Sequence, residues 1–190
     1  MTAELVEIPG YVAGTWTIDP AHSTVGFTIR HLAISKVRGR FGEVRGTIVT
    51  GATALESSVT AEIDLASIDT GNTQRDEHVR TGDFLDVEHF PTMTYRSTAL
   101  RPDGGDFVLE GELTLRGRTR PVELKLEPGG FGPDPFRADG GGARAGFTAT
   151  GEIDRLEFGV GDGTTIPGSG GLFLGQKVQI VLEIEAALAE

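Results

Sequence analysis

Asp19, His22 and Ser23 place the three residue types of an acyl-transfer triad within five positions. Such a triad works only when the base stands between acid and nucleophile in space, and a short Asp-Pro turn does not arrange that. Gly168-Ser169-Gly170 is no nucleophile elbow, because Pro167 stands where that motif requires its first glycine. The glycines of 159–175 match neither a dinucleotide fingerprint nor a P-loop, since Gly175 is followed by Gln176 instead of Lys. The four histidines, His22, His31, His78 and His89, form no His-x-His or His-x-x-x-His pair. A metal would need their convergence in three dimensions, with Asp76 or Glu77 adding oxygens. Among 28 acidic residues no acid/base pair stands out. The absence of Cys excludes thiolate catalysis, disulfides and Cys-ligated metals. No catalytic motif and no metal site survive, and the expectation is a protein that is not an enzyme.

Two histidines still invite a binding role. His31 continues the parity of Val25, Phe27 and Ile29 and should point to the inside of the fold. A buried imidazole needs a hydrogen-bond partner, and that partner is either a structural carbonyl or the head group of a ligand. His78 falls in the middle of a charged, non-alternating segment. It either faces water or, with Arg75, faces a ligand at one end of the fold, beside an aromatic plug made by Phe84, Phe90 and Phe158.

The elements that would position these residues are strands. Gly and Pro make up 28 and 9 of the 190 residues, and Gly-rich turns between short apolar runs are an all-β pattern. Period-2 alternation recurs in 24–31, 59–65, 107–115, 122–127, 147–154 and 178–186. Residues 36–49 also alternate, but Val37, Gly39 and Phe41 share one parity and Val44, Gly46 and Ile48 the other. That switch predicts a bulge or bend near Gly42. Residues 93–100 are apolar enough for a strand without showing a clear facing, and Gly14–Ile18 adds a short strand around Trp16. Residues 72–82 read as a short helix, with Asn72 or Thr73 as cap, a Thr73/Asp76 capping box and Gly82 at the end. Hairpins are expected at 102–106 and 116–120, and loops at 128–142 and 159–171. The expected fold is all-β: an antiparallel, up-and-down, eight-stranded barrel, with a two-sheet sandwich as the alternative. The expected organisation is an N-terminal arm, 1–13, and one barrel domain, 14–190.

An eight-stranded barrel is filled by its own side chains or holds one small ligand. The small inward residues Ala61, Ala149, Gly39, Gly111 and Gly151 leave volume unless larger neighbours fill it, and unfilled volume is costly in a mere core. A net charge of -11 argues against nucleic acid and against docking on anionic lipid surfaces. The Arg38/Arg40/Arg45 and Arg116/Arg118/Arg120 groups read as solvated faces or turns. The first residues lack the basic and apolar regions of a secretory leader, and no apolar run is long enough to span a membrane. A cytoplasmic protein without stable membrane insertion is the expectation, and a homodimer is compatible with the sequence.

Four stretches, taken in order, resemble the YceI-like family of lipocalin-like polyisoprenoid-binding proteins. They are 16–32 (Trp-Thr-Ile-Asp-Pro-Ala-His-Ser running into Val-Gly-Phe-Thr-Ile-Arg-His-Leu), 37–41 (Val-Arg-Gly-Arg-Phe), 70–91 (from Thr-Gly-Asn-Thr-Gln-Arg-Asp-Glu-His-Val-Arg to Asp-Phe-Leu-Asp-Val-Glu-His-Phe-Pro) and 113–122. Asp-Arg-Leu-Glu-Phe-Gly-Val-Gly at 154–161 continues the likeness. The resemblance implies a lipocalin-like barrel around an apolar tunnel that holds a long isoprenoid or fatty-acyl chain. It also implies a binding, storage or carrier role without established catalysis. The expected ligand is an isoprenoid or quinone-type lipid with no obligatory cofactor, held by Phe27, Ile29 and Phe41 along the wall and by His31, His78 and Arg75 at the head group. The alternative function is an enzyme acting on a lipid-like or quinone-like substrate, with His31 or His78 as acid/base. The Pro/Gly-rich 128–142 segment looks longer than the family pattern.

Overall fold

The computed structural model describes residues 7–190, so residues 1–6 of the expected arm lie outside the described residues. Eleven strands run antiparallel in one sheet: β1 (Gly14–Ile18), β2 (Thr24–His31), β3 (Ser35–Phe41), β4 (Val44–Thr50), β5 (Ser58–Asp64), β6 (Ile68–Asp69), β7 (Thr92–Asp103), β8 (Asp106–Leu115), β9 (Arg118–Pro133), β10 (Ala143–Asp154) and β11 (Leu174–Leu188). The order β1-β4-β5-β7-β8-β9-β10-β11, with β11 returning to β1, closes an eight-stranded barrel. The extra strands are halves of bent ones. β11 pairs with β2 from Leu174 to Glu183 and with β1 from Ala186 to Leu188, so β1 and β2 together make one stave. β3 and β4 make another, broken at Gly42 and Glu43 where the parity switch predicts a bend.

Alternation places the core. β8 is the cleanest case: Phe107, Leu109, Gly111, Leu113 and Leu115 are buried and the residues between them are not. The ambiguous 93–100 segment has a physical explanation. Between Ser97 and Ala99 the pairing of β7 with β8 shifts by a residue, which places Met93 and Tyr95 inside on one parity and Leu100 inside on the other. The β8–β9 connection is a two-residue turn. Arg116 and Gly117 there have φ of 51° and 70°, the left-handed pair that a tight hairpin demands.

The single α-helix among the described residues, α1 (Thr73–Arg80), is shorter than the expected 72–82. Asn72 is its cap and accepts from Arg75 N at 2.9 Å. The expected Thr73/Asp76 box does not form, because Asp76 turns back to accept from Thr70 N at 3.0 Å and Thr70 Oγ1 at 2.6 Å. Thr81, not Gly82, closes the helix, its N–H reaching the His78 carbonyl. At 128–142 the expected loop is shorter than predicted: residues 128–133 belong to β9 and pair with β10, and 134–142 form the irregular hairpin tip.

The barrel has two unlike ends. One carries the 31–35 hairpin, α1, the 116–117 turn and the 155–173 loops; the other carries the 51–57 and 104–105 turns, the 134–142 tip and the arm. At the helix end the sheet stops at β6, which pairs with β3 and not with β7. α1 and residues 81–91 fill this gap. Arg80 ties the helix to the carbonyls of Ala66 and Ile68 at 3.0 Å each, and Arg116 donates to the carbonyls of Gly82, at 2.8 Å, and Phe84.

Candidate functional site: an apolar cavity along the barrel axis

The interior encloses a cavity of about 690 Å³ that runs from the arm to the helix end. That is within the range of about 300–1,000 Å³ typical of small-molecule sites. Its wall is apolar along its length, from Ile48 and Val59 through Leu109 and Leu124 to Ile180 and Leu182. Its polar side chains gather mostly at the ends, Tyr11, Thr50, Ser57 and Ser58 near the arm and His31, Thr70, Arg75, His78 and Arg155 near the helix, with the Tyr95 hydroxyl on the wall between them.

The inward glycines do not create this space. A Cβ at Gly39 would lie 2.4 Å from the Phe27 ring, one at Gly111 2.4 Å from Tyr95, and one at Gly151 2.6 Å from Leu124. Each glycine is therefore already covered by a large neighbour, and the expectation that all five small residues leave room is corrected for these three. Ala61 and Ala149 do face the cavity. The volume arises from the girth of the closed ring, which its inward side chains do not span.

The arm end is shut. The Tyr11 hydroxyl donates to the Gly51 carbonyl at 3.0 Å, and Thr50 Oγ1 donates to the Val12 carbonyl at 2.7 Å. Trp16, fully buried, donates its indole N–H to Thr50 Oγ1 at 2.8 Å. Phe131 packs edge-on against Tyr11, Trp16 and Phe147, with ring centres 5.3, 5.4 and 5.8 Å apart. Ile8, Tyr11, Phe131 and Phe147 all line the cavity and were not singled out from the sequence. Phe131 sits in the Gly/Pro-rich stretch whose composition hides a strand. Tyr95 was also missed; its hydroxyl donates to the carbonyls of Leu109 and Val122 at 3.3 and 3.2 Å. Burial pushes its phenol above the ordinary range.

Most of the sequence-predicted residues meet at this cavity. Phe27, Ile29 and Phe41 line its wall, the two phenylalanine rings 5.8 Å apart. His31 lines the cavity at the end of β2, yet it is exposed and not buried as its parity suggests, because the strand runs out at the rim. His78 is likewise exposed at the rim. Its Nε2 lies 2.9 Å from Asp83 Oδ2 and its ring stands edge-on to Phe84 at 5.1 Å. Arg75 lines the same rim and donates to Thr70 Oγ1 at 2.7 Å and to the Thr70 carbonyl at 2.8 Å. The expected three-ring plug does not assemble. Phe84 lines the cavity, but Phe90 lies over the Gly117 turn, and Phe158, 1% exposed, is packed into the core outside the lining. The aromatic closure is at the opposite end.

Arg155 lies in the 154–161 stretch of the family likeness, but nothing in the sequence pointed to a role for it. It is 3% exposed and faces no carboxylate within ion-pair distance among the described residues. Instead it donates to the carbonyls of Gly175, Val160, Asp162 and Leu174 at 2.8–2.9 Å. It thereby holds the 159–175 loop against the barrel rim, and burial lowers its pKa.

The triad types do not assemble. His22 Nδ1 is 2.9 Å from Asp19, but Ser23 Oγ turns to the backbone of Glu185. Asp19, His22 and Glu185 form a cluster of metal-type donors, and Arg144 Nη1 already lies 2.7 Å from Asp19 and 2.5 Å from Glu185. The guanidinium supplies the positive charge that a metal would bring. Beside it, Asp19 is held down to a pKa of about 2, chiefly by the Arg144 hydrogen bond and then by His22.

A closed eight-stranded meander around one greasy cavity is a lipocalin-like barrel, a class defined by an enclosed interior. The YceI-like domain profile matches residues 16–186, and the chain belongs to that family. It is 38% identical over 152 residues to the protein YceI of Escherichia coli O6:H1, spanning 78% of each chain. The Burkholderia cenocepacia protein BcnA superposes with a TM-score of 0.74 at 25% identity, covering 88% of this chain and 98% of that one. A polyisoprenoid binding domain from Saccharophagus degradans shares the fold at a TM-score of 0.67 and 14% identity, covering 94% and 100%.

Proposed function

We propose that this protein is a carrier for a long-chain isoprenoid, such as a polyprenyl or quinone-type lipid, or for a fatty-acyl chain. The observation that carries the reading is the apolar cavity of about 690 Å³, shut at the arm end, with its basic side chains gathered at the helix end. Such a wall recognises methylenes and offers little to a polar molecule. Each buried methylene contributes about 0.8 kcal/mol before ordering costs. Membership of the YceI-like family, and the polyisoprenoid-binding neighbour of the same fold, support an isoprenoid over other lipids. The chain would lie along the axis with its tail toward the Tyr11–Phe131 closure and its head among His31, Arg75 and His78.

The test is organic extraction of the purified protein followed by mass spectrometry, with uptake of an added polyprenol by the delipidated protein. A polyprenyl or acyl species at near-stoichiometric amount is expected. Repeated failure to find one, together with no uptake, removes the reading. The His78–Asp83 pair at the rim is the observation that would favour an acid/base role on such a ligand. Turnover of a quinone-type substrate, abolished in His78→Ala while polyprenol is still retained, would establish it.

A further inference from the structure

The β2–β3 hairpin departs from three local rules at one place. Its tip residues Leu32 and Ala33 have φ of 53° and 61°. This is the left-handed pair of a tight hairpin turn, which Asn-Gly adopts with ease and apolar residues carrying a Cβ do not. Its next residue, Ile34, is 81% exposed, and Phe173, exposed at 41%, lies alongside, its carbonyl accepting from Leu32 N at 2.8 Å. Its outward face carries Arg30 directly opposite Lys36, with Arg38 and Arg40 following along β3. Like charges facing each other across a ladder are destabilising.

The charge is segregated on the scale of the whole chain. From residue 20 to residue 42 there are four basic residues, two histidines and no Asp or Glu, in a protein whose net charge is -11. Arg40 reaches Asp69 at 3.4 Å, whereas Arg30, Lys36 and Arg38 form no ion pair among the described residues. At the same end Asp83 faces His78, and α1 carries both Glu77 and Arg75. Local order bent this far from its preferences calls for a compensating use.

We propose that this hairpin is the docking edge for an anionic phospholipid bilayer. Leu32, Ala33 and Ile34, with Phe173, enter the boundary between head groups and acyl chains, and Arg30, Lys36 and Arg38 lie against the lipid phosphates. A small apolar tip beneath a collar of uncompensated cations matches a target that is anionic at its surface and greasy below it. The net charge of -11 makes most of the molecule unfavourable toward such a surface, and this hairpin joins uncompensated cations to an exposed apolar tip. His31, Phe173 and Leu174 line the cavity next to the tip, so docking presents the mouth of the cavity to the bilayer. The net charge, read alone, hides this local field.

The proposal goes beyond the carrier reading and is tested without reference to cargo. The delipidated protein is sedimented with phosphatidylcholine vesicles containing about one-third phosphatidylglycerol, and with phosphatidylcholine alone, at low and moderate salt. Partitioning onto the anionic vesicles, weakened by salt and accompanied by new hydrogen-exchange protection at residues 31–36, is expected. Lys36→Glu and Arg38→Glu should each reduce it by at least about fivefold for the positive charge lost, and Ile34→Asp should reduce it by removing the apolar tip and adding a negative charge. Lys125→Glu, on β9, should leave it unchanged. Polyprenol delivered from solution should still be retained by Ile34→Asp, which separates a failure of docking from a failure of the carrier reading. No partitioning by the wild-type protein overturns the proposal. So does an Ile34→Asp variant that binds vesicles normally, or one that merely splits a dimer seen by light scattering.

Discussion

Ala149→Phe probes whether the barrel is hollow. Ala149 lies on β10 between Leu126 of β9 and Leu182 of β11, and its side chain faces the cavity. In a packed core the same enlargement costs about 1–3 kcal/mol in strain. Here the ring enters a space of about 690 Å³, so the strain is absent and the phenyl buries itself against the cavity wall. Unfolding of the delipidated variant in urea should therefore show stability equal to or above that of the parent. Delipidation matters, because a bound guest adds stability by mass action. The ring should displace roughly four guest methylenes, at about 0.8 kcal/mol each, a loss of about 3 kcal/mol or a factor of roughly 200 in Kd. Displacement of a fluorescent acyl probe measures that loss. A variant destabilised by about 2 kcal/mol or more, with probe affinity unchanged, would show an interior already filled by side chains and refute the reasoning.

Other expectations follow from single groups. Arg155→Leu leaves four carbonyls without their shared donor; a loss in urea unfolding of about 1–3 kcal/mol for each carbonyl that stays buried without a new partner is expected, with Arg155→Lys intermediate because an ammonium has three donors. Asp19 titrates at about 2 when folded, against 3.8 ordinarily. Its contribution is thus present above about pH 4 and is lost as the pH falls through 2; Asp19→Asn should flatten that part of the stability profile measured by circular dichroism. Tyr95 should stay protonated past the pH at which an ordinary phenol ionises, in a difference titration near 295 nm, and Tyr95→Phe should cost about 1 kcal/mol through two lost carbonyl contacts.

The sequence showed the barrel and one end of its site, and the reason lies in what periodicity can carry. Alternation is a local record of which face is buried, so β8, β10 and β11 could be read residue by residue, and a parity switch near Gly42 was enough to expose a bent stave. Where a bulge resets the parity inside a strand, as between Ser97 and Ala99, the same record cancels itself and Tyr95 disappears from view. Composition misled in a second way. The Gly- and Pro-rich run after Lys125 suggests a loop, but its backbone pairs with β10 as far as Pro133 and carries Phe131 into the cavity. The glycines on the inner face show the limit of counting volumes from a list. Gly39, Gly111 and Gly151 make room for Phe27, Tyr95 and Leu124, which come from neighbouring strands, and only register tells which ring covers which gap. Rim residues are harder again. His31 has the parity of an inward residue, but parity says nothing about where a strand ends, and its exposure is decided by the sheet stopping one turn later.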